Sequence, residues 1–207
     1  MSWKQDMYAR LDQPVEVAFD GVPIPNDPAV EFADRMSRWE ALSPPRFRGA
    51  TPDTLSGSAS EAFAEWRQSN GTRNVLFMGP VGTGKTHAAY AFLCHVHMCG
   101  VWRFTFTSSV SLMDKLRPGG DERLDKWTDV DCLLLDDLGG EKPSEWVSER
   151  LFALLDERWR WKRPTLVTTN LLPSQLRESL GDRTYSRLQD GAIAATLTGD
   201  DRRRVPA

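Results

Sequence analysis

Gly79-Pro80-Val81-Gly82-Thr83-Gly84-Lys85-Thr86 follows directly on the apolar run at residues 74–78 and constrains this chain more than any other stretch. Glycines at this spacing let successive backbone N–H groups curl into an anion-binding nest, which a Cβ would obstruct. A helix starting near Lys85 aims the positive end of its dipole at the same point. An apolar strand, then G-x-x-x-x-G-K-[ST], then a helix is the layout of a phosphate loop. Lys85 is expected to reach β- and γ-phosphates, with the Thr86 hydroxyl completing the shell of a Mg²⁺ ion. Residues 79–86, with His87 beside them, form the expected contact set for a nucleoside triphosphate.

A second motif lies downstream. Asp131-Cys132-Leu133-Leu134-Leu135-Asp136-Asp137-Leu138-Gly139 reads as an apolar strand ending in two acids. A central parallel strand is apolar on both faces, so acids at its C-terminal end lie at the edge where ligands bind. Asp136 is assigned to the metal, and Asp137 to orienting or deprotonating an attacking water. Thr168-Thr169-Asn170 follows the next apolar strand, which sets Asn170 beside the γ-phosphate and the water. Taken alone, the acidic pair reads equally well as a strand-terminating turn, and an asparagine after a strand is usually just a turn residue. Their order after the phosphate loop is what gives them meaning.

The chain around these motifs alternates strand-like and helix-like segments, an α/β pattern with a mainly parallel sheet. The expected helices cover 60–69 with Ser60 as cap, 85–99 ended by Gly100, 110–116, 144–161, 176–180 and 184–188. The expected strands cover 74–78, 101–107, 131–136, 164–169 and 193–197. Residues 1–45 differ. Asp20-Gly21-Val22-Pro23-Ile24-Pro25-Asn26-Asp27-Pro28 carries three prolines and cannot be a regular element. After it, Ala29, Phe32, Met36 and Trp39 recur at helical spacing, an amphipathic helix stopped by Ser43-Pro44-Pro45. That helix either packs back on the core or docks a partner.

Composition narrows the classes. Hydrophobic residues at 40% and charged residues at 27% give a globular balance. No apolar run approaches the roughly 20 residues of a membrane span. The N-terminus lacks the apolar core of an export signal, and three cysteines make no disulfide framework, so a cytoplasmic location is expected. A net charge of −3 argues against whole-molecule attraction to nucleic acid. Two basic runs remain as local candidates, Arg158-Trp159-Arg160-Trp161-Lys162-Arg163 and Arg202-Arg203-Arg204. Their plainer readings are a dipole-stabilised helix end and a solvated tail. Cys94-His95-Val96-His97-Met98-Cys99 has metal-ligand chemistry but sits inside an expected helix, where the four groups do not converge on one tetrahedral site.

The series G-P-V-G-T-G-K-T, L-L-L-D-D-L-G, T-T-N and D-R-x-x-S-R-L (182–188) resembles the AAA+ ATPases. Within them it is similar to the DnaC/DnaI-type helicase loaders and the IstB-like transposition helpers, from about Arg46 onward. Arg46-Phe47-Arg48-Gly49-Ala50-Thr51 is similar to the segment that opens the ATPase domain of the loaders. The resemblance implies a parallel five-stranded sheet sandwiched by helices over 46–207, with ATP and Mg²⁺ as cofactors. It implies a catalytic arginine supplied to a neighbouring subunit's ATP, for which Arg187 matches best and Arg183 second. It further implies an ATP-dependent homo-oligomer gripping single-stranded DNA, with residues 1–45 holding a hexameric replicative helicase. The alternative is a helper presenting target DNA to a transposase. A small-molecule kinase fits less well, because no arginine-bearing lid lies between the strands. Two departures stand out. The strand ends in Asp-Asp where most AAA+ motors have Asp-Glu. Only 19 residues follow Leu188, so the helical lid is expected to be truncated or absent. Both suit a slow ATPase acting as a switch.

Overall fold

The computed structural model describes residues 28–100, 103–118, 120, 122–140 and 144–201. Among these, eight α-helices and five strands form a single sheet of order β2-β3-β4-β1-β5, every pairing parallel. The strands are β1 Val75–Met78, β2 Phe104–Ser108, β3 Cys132–Asp136, β4 Thr165–Thr169 and β5 Ile193–Thr196. The helices are α1 Pro28–Leu42, α2 Gly57–Gln68, α3 Lys85–Cys99, α4 Ser109–Leu116, α5 Asp125–Thr128, α6 Glu145–Arg160, α7 Pro173–Leu180 and α8 Asp182–Gln189.

Period-two alternation along the strands splits the interior into two cores, one on each face. Val75, Phe77, Cys132, Leu134, Leu166, Ile193 and Ala195 face a layer built from α1, α2 and α3. Leu76, Leu133, Leu135 and Val167 face the opposite layer, from α4 to α8. Register then brings the strand ends to one edge: Met78 pairs with Thr169 and with Thr196, and Ser108 with Asp136. The segments after β1, β3 and β4 therefore emerge side by side.

Several boundaries follow from local chemistry. Gly100 closes α3 in the left-handed region at φ 72°, and Ser144 caps α6 by accepting from the Val147 N–H. Ser60 does not cap a helix: α2 starts three residues earlier, after Ser56. α4 starts at Ser109 with Ser108 as its side-chain cap. The single turn α5 carries no sequence periodicity, because four residues are too few to show one.

α1 packs on the core. Trp39 is fully buried, with its ring 6.4 Å from Tyr90 and 6.2 Å from Phe104. Arg35 donates through Nη1 to the Met98 carbonyl at 3.0 Å, satisfying the C-terminal end of α3, while His97 donates from Nε2 to the Arg35 carbonyl at 2.9 Å. A Cβ on Gly100 would collide with that guanidinium. The apolar face read as a possible partner dock is thus occupied by the chain's own core. The proline-containing segment before α1 lies outside the described residues, as does the start of the strand expected at 101. No described helix is long and apolar enough to cross a membrane.

Candidate functional site

The loop between β1 and α3 has the backbone its glycines permit. Gly79, Gly82 and Gly84 sit at φ 140°, 84° and 97°, where a side chain is strained. Space excludes a side chain as well: a Cβ on Gly79 would strike the Leu197 carbonyl, and one on Gly82 the Asp201 carboxylate. Gly84 is the N-cap residue of α3, so the first N–H groups of that helix open into the loop. Lys85 is buried and donates to the Gly79 and Pro80 carbonyls at 2.8 and 2.7 Å, folded over the loop it serves. Thr83 ties the loop to itself by donating to the Pro80 carbonyl at 2.9 Å, and Val81 is exposed at its tip.

Across the edge from the loop stand the two acids. Thr86 donates to Asp136 Oδ1 at 3.0 Å, joining loop and acidic strand directly. Thr168 donates to the same oxygen at 2.5 Å and accepts from the Asp137 N–H at 2.9 Å. Asp137 turns out of the strand in the left-handed region, φ 56°, a conformation that asparagine and aspartate tolerate best among side-chain-bearing residues. Its carbonyl accepts from Ser109, and its carboxylate Oδ1 accepts from Asn170 Nδ2 at 2.9 Å. Both Asp137 and Asn170 are exposed to solvent at this edge, whereas Asp136 is half-buried. The structure therefore brings Lys85, Thr86, Asp136, Asp137 and Asn170 together. Thr168 and Ser109 complete the arrangement and are not identifiable from a motif. Alternation along β4 is the one signal that sets Thr168 apart from Thr169, whose hydroxyl instead donates to the Leu138 carbonyl.

Two clefts flank the loop. One, of about 400 Å³, is lined by Arg46, Phe47, Gly82 and residues 84–87; Phe47 in its wall stacks on Tyr90 with centroids 4.4 Å apart. The other, of about 240 Å³, lies between residues 54–59, the loop and residues 196–198. His87 lines both. Thr54 gives its one hydroxyl proton to the Thr51 carbonyl, so His87 is the donor in the 2.7 Å bond between Nε2 and the Thr54 oxygen. Burial first, and the Asp136 charge second, push the Tyr90 phenol well above its ordinary range, so it stays neutral under this edge.

Among the described residues, the arginines of 182–188 make their contacts with α6 and not with the loop. Arg187, on α8, donates from Nε to Asp156 Oδ1 of α6 at 2.9 Å and lies 4.1 Å over the Trp159 ring. Arg183 is exposed and lies 4.6 Å over the Phe152 ring. Within the run 158–163, Arg158 has to be removed from the surface patch. It is 1% exposed and gives its protons to the Trp127, Thr128, Val130 and Pro164 carbonyls and the Thr165 hydroxyl. Burial lowers its pKa to about 10, which still leaves it charged at neutral pH. Trp161 and Lys162 are exposed, and Arg160 and Arg163 pair with Asp156 and Asp129. Arg202-Arg203-Arg204 lies outside the described residues. Burial pushes the Cys94 and Cys132 thiols up to about 12, which makes them poor metal ligands or nucleophiles.

Residues 48–190 match the family of IstB-like ATP binding proteins. The chain is 30% identical over 124 residues to the replicative helicase loader DnaC of Escherichia coli (strain K12), covering 57% of this chain and 51% of that one. It is also 30% identical over 125 residues to an ATP-binding protein in an insertion sequence of Mycobacterium tuberculosis, covering 58% and 49%. The chain thus spans about half the length of these curated relatives. Among solved structures, that of a DnaC helicase loader superposes with a TM-score of 0.63 at 24% identity, over 74% of this chain and 99% of that one, a likeness of fold.

Proposed function

The chain belongs to the IstB-like ATP-binding protein family, and from that premise we propose that it is an ATP-driven loader of a hexameric replicative helicase onto single-stranded DNA. The observation that carries the nucleotide part is the convergence of Lys85, Thr86, Asp136, Asp137 and Asn170 on one sheet edge. The residues present fit Mg·ATP. The loop has no room for a Cβ at Gly79 or Gly82, and a hydroxyl and a carboxylate already stand 3.0 Å apart on facing elements.

Each residue then has a role. Lys85 exchanges the Gly79 and Pro80 carbonyls for the β- and γ-phosphoryl oxygens. Thr86 and Asp136 would hold Mg²⁺, whose contribution would be to neutralise charge on those oxygens. Thr168 keeps the Asp136 carboxylate turned toward Thr86. Asp137 takes the proton of the attacking water, and Asn170, bonded to its Oδ1, fixes the plane of that carboxylate. Arg187 of one subunit neutralises charge developing on the γ-phosphoryl group held by the next. The shorter reach of aspartate compared with glutamate suits slow turnover. The helicase assignment is supported by the similarity to the DnaC of E. coli. Of residues 1–45, the part that precedes α1 is assigned to the helicase, since the apolar face of α1 is already taken up by the core.

A second reading has a specific observation behind it. An insertion-sequence ATP-binding protein also matches at equal identity and over a similar length of chain. In that reading the ATPase core presents target DNA to a transposase. Purification of the tagged full chain from its host with bound ATP tests the two. The loader reading expects a hexameric helicase in the eluate, lost in the Lys85→Ala chain; a transposase in its place selects the helper.

A further inference from the structure

Arg187 is held in an unusual way. Its Nε is bonded to Asp156 Oδ1 at 2.9 Å, its Cζ lies 4.1 Å over the centre of the Trp159 ring, and Trp159 is itself pinned by donating from Nε1 to Asp190 Oδ2 at 2.7 Å. Among the described residues Nε is the only nitrogen of the guanidinium that makes a hydrogen bond. The side chain is 35% exposed and lines a cleft of about 500 Å³ with Arg177, Tyr185 and Ser186.

Asp156 is the informative partner. Its side chain is only 9% exposed and stands next to Leu154 and Leu155 on α6. A buried carboxylate is costly unless its oxygens are satisfied. Here Oδ1 serves Arg187 and Oδ2 serves the largely exposed Arg160 at 2.7 Å. A tie meant only to join α8 to α6 would add little, because Leu188 and Thr184 already bury themselves in that contact. A latch meant to sequester the arginine would grip both terminal nitrogens. The observed bond takes the side edge and leaves the terminal fork for a second anion, the edge a guanidinium uses to grip phosphoryl oxygens bidentately.

We propose that Asp156 and Trp159 are positioning residues that hold Arg187 with its two terminal nitrogens presented to the nucleotide of an adjacent copy of the chain. This rests on the assignment of Arg187 as an arginine acting across a subunit interface. A long side chain ordered in advance loses less freedom when it engages, so the contact forms faster and in one geometry.

The test uses mixed full-length chains. Donor chains carry Lys85→Ala and an intact Arg187; acceptor chains carry Arg187→Ala and an intact loop. Neither hydrolyses ATP alone, and the mixture regains activity. Adding Asp156→Asn to the donor is expected to lower kcat of the mixture about tenfold with KM for ATP unchanged. Adding it to the acceptor, which has no arginine left to orient, is expected to change nothing. Trp159→Leu in the donor reproduces the loss, and Trp159→Phe, which restores a flat ring, recovers most of it. A donor substitution without effect, or an equal loss from donor and acceptor, overturns the proposal while the trans assignment survives. A parent mixture that stays inactive overturns the trans assignment and the proposal with it.

Discussion

Asp136 and Asp137 are neighbours in sequence whose carboxylates answer to different partners, the first to Thr86 and Thr168 and the second to Asn170. Asp137→Asn is therefore expected to leave Mg·ATP binding nearly intact while turnover falls by roughly 10² or more. Asp136→Asn is expected to weaken Mg²⁺-dependent binding itself; titrations with ATP in the presence and absence of the metal separate the two. The placement of both acids at this edge was legible because each motif is contiguous and stands at a strand end. Arg158 was not. Its partners come from residues 127–130 and 164–165, and only the folded chain turns a run of surface-like charge into one buried ion. Arg158→Met should leave several carbonyls unpaired and cost about 3 kcal/mol or more, read as a lower denaturant midpoint at constant m.

Elements were legible where a stop or start has its own chemistry. Gly100 ends α3 and Ser144 starts α6 where residue type demands, whereas α2 runs back past Ser60 because Ala59 is wanted in the core. The docking of α1 could be read as a face but not as an address, since Arg35 and Trp39 find their partners, Met98 and Tyr90, far along the chain. That dock is expected to respond to pH through His97. Burial, the largest influence, holds the His97 pKa below its ordinary value near 6.5. The unfolded chain then takes up the proton first, so the contribution of His97 is complete above that value and is lost as pH falls through the folded pKa. Replacing it with glutamine, which keeps a donor toward the Arg35 carbonyl, should flatten the fall in stability between pH 7.5 and 5.5; thermal unfolding of both proteins at the two pH values measures the difference.

At the scale of the whole molecule, the net charge of −3 sets what one subunit can do with DNA. An acidic monomer has only local cations, and among the described residues several of them, Arg160 and Arg163 included, are paired with acids. Binding to single strands is therefore expected to require ATP-dependent assembly, which sums weak basic faces, and to fall with salt by a log–log slope of about −0.7 per phosphate neutralised. Filter binding of oligo(dT) over a salt series, with ATP and with ADP, reads both dependences. Tight binding of duplex by the monomer contradicts the expectation.

α3 also acts as a ruler. Its 15 residues span about 22 Å, with the phosphate loop at one end and the Arg35 dock at the other. Helical geometry fixes both the distance and the phase between those ends. Removing one residue would shorten the ruler by about 1.5 Å and turn one end by about 100° against the other, swinging Tyr90 and Phe92 out of the faces they fill. Length changes that come close to whole turns are the ones this helix can absorb, so the spacing between the lysine of the loop and the glycine of the cap works as a unit of measure for the whole chain.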